Sequence, residues 1–380
     1  MTGTDAVVVG AGVIGLAIVW RAAQAGLRLT VVDPAPGSGA SWTAAGMLAP
    51  ATELHYGERA LYGLNRASAD LYPGFAAELE SLTGASVGYR GEGTLLTAWD
   101  AADLASLVDL HAFHSTLGIA TSMVTGRELR ALEPATAPGL PGALFAPDDH
   151  QVDNRRLHAG LLAAARSSGV HLVRSWATLR VSGDRAVGVV LDDGRELSAD
   201  TVVLAGGAWS RQIGGVPEDL LPPVRPVKGQ TLRVRAAGDL PLTRTVRAKV
   251  RGNDVYVVPR VDGELVIGAS SEETGFGVQP RVGAIHDLLR DAIAVVPELA
   301  QAHWESVSTS LRPGTPDNGP LIGATEMEGL IVATGHYRNG ILLTPITADA
   351  IVAVLTGGAV PEPVRSFAPG RLGGVAGTRR

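Results

Sequence analysis

The sequence predicts an α/β fold: a discontinuous Rossmann-like domain with an antiparallel-sheet domain inserted into it. Three observations predict it. The chain opens with a short apolar run, a glycine cluster and a helical repeat. Fully apolar strands return near residues 201 and 330, and between them residues 230–271 alternate apolar and polar side chains. Strands buried on both faces read as continuous apolar runs, whereas half-exposed antiparallel strands alternate.

Taken in order, Ala6–Val9, the glycines, Leu16–Ala25 and Leu29–Val32 make a strand–helix–strand unit with parallel pairing. Residues 56–85 and 101–117 have the spacing of amphipathic helices. Asp153 caps a helix expected to run to about Ser168, with Gly169 as its stop. His171–Val173, Thr178–Val181, Ala186–Leu191 and Glu196–Ala199 read as short strands, with Asp193-Gly194 as a hairpin turn. Thr201–Ala205 is a further strand running into Gly206-Gly207. Val255–Arg260 and Glu264–Ala269 flank Asp262-Gly263, a two-residue hairpin signal that sets Tyr256 opposite Ala269 and Asp254 opposite Ser271. Helix returns at Val282–Val295, and Leu330–Thr334 is a last buried strand. Thr344, as N-cap before Pro345, opens a helix reaching Leu355.

The bulk numbers bound the function. A chain of 380 residues exceeds one compact core, so two or three domains are expected. Net charge is −6 without a lysine-rich block, which speaks against nucleic acid as a partner. No cysteine occurs, which rules out disulfides, thiolate metal sites, thiol nucleophiles and a cofactor tethered through sulfur. His111 and His114 share a helical face without a third ligand nearby, so a solvated helix is expected there and no metal. The apolar stretch Val7–Val19 is too short to span a bilayer and lacks a basic leader, so no membrane partner and a cytoplasmic location are expected.

The chemistry begins at Gly10-Ala11-Gly12-Val13-Ile14-Gly15, a GxGxxG between strand and helix. Gly10 permits the tight turn, Gly12 lets a pyrophosphate approach the backbone, and Gly15 lets helix pack on strand. The helix N-terminus offers free N–H donors to the anion. Asp33 ends the next strand, placed to hydrogen-bond a ribose. This loop alone does not separate FAD from NAD.

Four further stretches are more specific: Thr43–Leu48, Pro226–Gln230, Leu311–Thr315 and Gly335–Leu342. With the first loop and the Val255–Arg260 strand, they resemble the D-amino-acid-oxidase-like flavoenzymes, and within them the glycine oxidases of the thiamine pathway. The resemblance runs in order from residue 5 to about 357. It implies noncovalent FAD, a small amino-acid substrate, O2 as acceptor and a homotetramer. With the strand pattern, it divides the chain into an FAD-binding domain from 1–85, 140–215 and 305–365 and a substrate domain from 86–139 and 216–304, and the Gly- and Arg-rich composition of the end reads as a mobile tail at 366–380. Val13, Ile14, Asp33, Pro34, Ala40, Ser41, Ala45, Gly46, Met47 and Thr178 are expected to line the cofactor, as are His336, Tyr337, Arg338, Asn339, Gly340, Ile341 and Leu342.

For the substrate, the resemblance makes Arg312 the carboxylate clamp and Tyr256 a hydroxyl donor to the same group. A guanidinium suits that role, because it meets a carboxylate with two parallel charge-assisted hydrogen bonds. Without the resemblance, Arg312 reads equally as a surface ion pair, and Tyr256 more readily as a core aromatic. Arg338 is expected to touch or orient the substrate. Met47, Asp254 and Ser271 are expected to border the pocket, and the last two depart from the His and Met of the resembled enzymes. Two rival activities share these residues: a dehydrogenase passing electrons to a carrier, and a non-catalytic flavin-binding protein.

Overall fold

A computed structural model describes residues 4–372. Its first sheet orders the strands Leu321–Ala324, Leu330–Thr334, Glu196–Leu204, Thr4–Val9, Leu29–Val32 and His171–Val173. All neighbours along that path are parallel except the first pair. The apolar runs have a reason. Ala6 and Val8 enter a core with helices Val13–Gln24, Asn154–Ser167 and Thr344–Thr356, while Val7 and Val9 enter a second core on the other face. Both faces of the strand are therefore covered, as parallel sheets require.

The segment expected as two short strands, 196–199 and 201–205, is one strand, Glu196–Leu204. Its first half pairs antiparallel with Arg185–Leu191 and its second half parallel with Thr4–Val9. The change of partner explains why the first half alternates and the second is solidly apolar.

The second sheet orders His303–Gly314, Arg225–Arg235, Glu264–Gly268, Asn253–Pro259, Thr245–Val250, Thr94–Ala98, Gly142–Ala146 and Ser122–Thr125. Its strands alternate as the sequence does. Val246, Ala248 and Val250, with Val255, Val257, Leu232 and Val234, pack towards helix Val282–Val295. The intervening Arg247, Lys249, Tyr256, Gly229 and Thr231 line a cavity on the opposite face. Strands Gly142–Ala146 and His303–Gly314 pair into this sheet, although their positions had suggested the nucleotide-binding segments.

Local signals hold in part. Asp153 accepts from the amides of Arg155 and Arg156 at 2.9 and 3.1 Å and caps its helix. Thr344 is not a cap: Leu343 is, and the Thr344 hydroxyl donates back to the Gly340 carbonyl at 2.9 Å. The Asp262-Gly263 turn has one residue more than expected, because Arg260 N–H donates to Glu264 O and Gly263 takes φ +83°. A type I turn closed by a left-handed glycine gives that three-residue loop. Tyr256 consequently lies opposite Gly268, not Ala269, and Ser271 falls beyond the strand end.

His114 is buried against Thr121 instead of solvated, and burial pushes its imidazole down to about 4. At the far end, Phe367 is buried and Arg371 pairs with Asp317 at 3.0 Å, so the described part of the expected tail is packed. The rest of that tail, 373–380, lies outside the described residues. Among the described residues, no helix is long and apolar enough to cross a membrane.

Candidate active site

A cavity of about 1110 Å³ runs from the first glycine loop to the inner face of the second sheet. At its nucleotide end, Gly10 has φ +116°, and a Cβ there would fall on the Ala205 carbonyl. Only glycine turns the chain in this way. A Cβ on Gly12 would stand 3.0 Å from Ser41 Oγ, and one on Gly15 would strike the Gly10 carbonyl, with Val8 Cγ1 at 3.4 Å. Gly15 thus serves helix packing and does not line the cavity.

Helix Val13–Gln24 starts without a side-chain cap and without an acid in its first turn. Its Val13 amide meets Ser41 Oγ at 3.1 Å. The next amides have no helical partner, so a positive, donor-rich end faces the cavity. Asp33 accepts from Ala11 N–H at 2.7 Å and from Ala35 N–H at 2.8 Å, which fixes its carboxylate on the cavity wall. A glycine cradle, an uncapped helix end and a fixed acid fit the pyrophosphate and ribose of FAD.

The middle of the wall is built by Ala40, Ser41, Ala45, Gly46 and Met47, together with Pro34. Gly46 has φ +75°, and a Cβ on it would collide with the Val152 carbonyl. His336, Tyr337, Arg338, Gly340 and Ile341 complete this part. His336 is buried with its Nε2 3.0 Å from Thr347 Oγ1, and burial pushes its imidazole down to about 3, so it is neutral. Asn339 and Leu342 are not part of the cavity wall: both are buried, and the Leu342 carbonyl accepts from Ser68 Oγ at 2.6 Å. Thr178 is also displaced from the expected role. It is exposed and packs beside Gly214, while Ser175, Trp176 and Ala177 form that stretch of wall.

At the far end, Tyr256 and Arg312 converge. A Cβ on Gly268 would fall on the Tyr256 ring, and a Cβ on Gly229 would fall on the Arg312 guanidinium. The sheet order places the Gly268 and Gly229 strands between those of Tyr256 and Arg312. The two side chains therefore lie flat over the glycines and lean towards each other. Arg312 Nη1 donates to the Ser270 carbonyl at 3.1 Å. Among the described residues, no acid lies within ion-pairing distance of Arg312, and the Tyr256 hydroxyl has no hydrogen-bond partner. Burial pushes that hydroxyl up to about 12 against the pull of the nearby Arg312 charge, so it is a donor at neutral pH. Met47, Asp254 and Ser271 also line this end. The Asp254 side chain is 80% exposed, with Lys249 Nζ at 3.9 Å, and so sits at the mouth.

Sequence reasoning missed the charge network beside them. Glu53 pairs with Arg247 at 2.5 Å and with Arg338 at 3.3 Å, and Arg338 reaches Glu58 at 3.1 Å. Burial opposes ionisation of Glu53, but Arg247 and Arg338 outweigh it and hold the carboxyl below the usual range. The loop carrying Glu53 is pinned by Asp149, which accepts from the Ala51 and Thr52 amides at 2.9 and 2.7 Å. Arg338 is thus engaged by two acids, unlike Arg312. Its guanidinium is tied to the segment carrying Glu53 and Glu58. Glu53 and Arg247 stand 194 positions apart, and no local pattern links them.

The family model for DAO, FAD dependent oxidoreductase, matches residues 5–354. Glycine oxidase of Geobacillus kaustophilus is 36% identical over 346 residues, covering 90% of each chain. Its Pseudomonas aeruginosa counterpart is 36% identical across 96% of this chain and 97% of that protein. The bifunctional protein ThiO/ThiG of Synechocystis is 34% identical across 98% of this chain, which spans only 54% of that longer protein. The crystal structure of the Geobacillus kaustophilus glycine oxidase superposes with a TM-score of 0.88 at 35% identity, covering 96% of this chain and 97% of that one. A chain that this family model matches from residue 5 to residue 354 belongs to the DAO family of FAD dependent oxidoreductases.

Proposed function

We propose that this enzyme oxidatively deaminates glycine or another small primary or secondary amino acid, giving an oxo acid, H2O2 and ammonia, or the alkylamine in place of ammonia when the substrate is secondary. The observation that carries the proposal is the unpaired Arg312 guanidinium converging with the unpaired Tyr256 hydroxyl. Two donors held over glycines, with no protein acid between them, suit a substrate carboxylate. The Arg247–Glu53–Arg338–Glu58 network is internally neutral and Lys249 faces Asp254, so among the described residues Arg312 is the arginine of this end without an acid partner.

With the carboxylate anchored by Arg312 and Tyr256, the substrate Cα–H is directed into the cavity. Bound FAD supplies the hydride acceptor and the route by which the electron pair reaches O2. Bound as its neutral amine, the substrate needs no side chain to act as a base at the hydride step. Oxidation of the C–N bond gives an imine, and water converts it to the oxo acid and ammonia. For glycine the balance is glycine + O2 + H2O to glyoxylate + NH3 + H2O2. The similarity to a bifunctional ThiO/ThiG protein, of which this chain spans 54%, supports a further role for the imine, as a supply for thiazole synthesis.

Anaerobic mixing of the holoenzyme with glycine, followed by air, tests this. Loss of the visible flavin absorbance, then its return with H2O2, is expected. Loss without return in air would make the enzyme a dehydrogenase using a carrier. No loss with glycine, sarcosine or D-alanine would overturn the substrate class. In Arg312→Ala the bleaching should require far more glycine, a loss of about 2–5 kcal/mol in binding if the charge pair is buried.

A further inference from the structure

Arg260 follows Pro259 at the end of the strand that carries Tyr256, and it is 6% exposed. Its guanidinium makes no ion pair within 4.0 Å among the described residues. Oxygens of neutral groups hold it instead. Nη2 donates to the Ala45 carbonyl at 2.6 Å, and Nη1 to Gln151 Oε1 at 2.9 Å and the Val152 carbonyl at 3.1 Å. Nη2 also reaches Asn154 Oδ1 at 3.4 Å, and Nε is buried without a partner.

The acids nearby are already committed. Glu264 is paired with Arg233, Asp262 with Arg156 at 2.9 Å, and Asp153 caps its helix and lies 3.4 Å from Arg156. A positive charge therefore remains buried with no carboxylate in contact, although Asp153, Glu264 and Asp262 act on it through space. Burying a guanidinium in this way is costly, so the fold must hold it for something its charge or its donors do.

Its position indicates what. A Cβ on Gly46 would stand 3.3 Å from Arg260 Nη2, so the guanidinium lies directly behind the Ala45–Met47 wall of the cavity. Tyr256, Val258 and Arg260 alternate along one strand and share its face. Val258 packs with Ala45, Met47, Tyr256 and Val266. Arg260 thus ties the cofactor-side loop to the sheet that presents the substrate clamp.

We propose that Arg260 is a positioning residue that also acts electrostatically. It clamps the 45–47 loop against the Tyr256 strand, and its charge, which no carboxylate contacts, favours bound FAD in its more negative, reduced state. The proposal rests on the flavoenzyme reading above, but its test needs no amino-acid turnover. Two variants separate the parts. Arg260→Gln keeps one amide donor and removes the charge, whereas Arg260→Lys keeps the charge and loses the forked donor pattern.

Each holoenzyme is equilibrated with a reductant and a reference dye to give the potential of the bound flavin, and each apoprotein is titrated with FAD. Arg260→Gln should shift the potential to more negative values, a roughly tenfold loss of preference for the reduced cofactor. Arg260→Lys should keep the potential near that of the parent while binding FAD more weakly. Equal potentials in Arg260→Gln and the parent would overturn the electrostatic role. Unchanged FAD affinity in Arg260→Lys would overturn the clamp. If Arg260→Gln does not fold, the Lys variant still decides: a potential displaced as far as its affinity would leave a merely structural residue. Failure of glycine to bleach the parent would count against the substrate reading and leave these outcomes untouched.

Discussion

The two ends of the cavity are held by different kinds of information. At the nucleotide end, Gly10, Gly12 and Asp33 lie within 24 residues, and all three line the cavity. At the substrate end, Tyr256 and Arg312 come from strands separated by two others, and each needs a glycine on a neighbouring strand to lie flat. The first end depends on one turn being made; the second depends on the register of a whole sheet. The first should fail completely when broken, and the second should fail in chemistry before it fails in folding.

The largest effect is expected at Gly10. In Gly10→Ala the added Cβ meets the Ala205 carbonyl at a φ that L residues rarely adopt. Neither side is the end of a flexible chain, so the turn itself must move. The variant should purify without FAD and with a lowered Tm, read from the flavin-to-protein absorbance ratio and a thermal melt. A yellow, stoichiometric protein would show that the turn tolerates a side chain.

Gly268→Ala is the counterpart at the other end. Its Cβ would displace the Tyr256 ring, which can swing towards the cavity, so the fold should survive with FAD bound. Moving a donor by about 1 Å costs on the order of 100-fold in rate when positioning matters, and kcat/KM for glycine should fall by about that much. Loss of FAD together with activity would erase the distinction between the ends.

The middle of the wall responds to pH. His336 is buried and neutral, pushed from its ordinary 6.5 down to about 3. An unfolded chain binds this proton near pH 6.5 and the folded one does not. Its contribution to stability is therefore complete above 6.5 and is lost as pH falls towards 3. Glu53, held below the usual carboxylate range, adds a loss of the same sign at lower pH, whereas Asp149, pushed up to about 6 by burial, works the other way. His336→Gln retains a partner for Thr347 and should flatten the decline of Tm between pH 6.5 and 4. An unaltered acid limb would assign that decline to the carboxylates.

How much of this was legible follows the same division. The glycine loop, Asp33, the Asp153 cap and helix Val282–Val295 are written in contiguous residues, and the structure places them as the spacing suggests. The face shared by Arg247 and Tyr256 was legible only as alternation, because cross-strand neighbours are not sequence neighbours. One added turn residue moved Tyr256 from Ala269 to Gly268, and with it the reason for that glycine. Thr178 was misplaced for a related reason. A strand tells which side chains alternate, and not which of its ends meets a cavity.

The smallest effect, and the one that tests substrate choice, belongs to Asp254. Its side chain is 80% exposed at the mouth and only 3.9 Å from Lys249, so water and salt screen most of its field. It cannot contribute as Arg312 does. A carboxylate at the entrance still favours amines that carry positive charge as they approach, and basic side chains more than glycine itself. Asp254→Asn should therefore lower kcat/KM for basic D-amino acids relative to glycine by roughly threefold at low salt, and less as ionic strength rises. An unchanged ranking of glycine, sarcosine and D-amino acids at low salt would make Asp254 a solvated partner of Lys249 and nothing more. Specificity would then rest with Ser271 and Met47, which line the same end of the cavity.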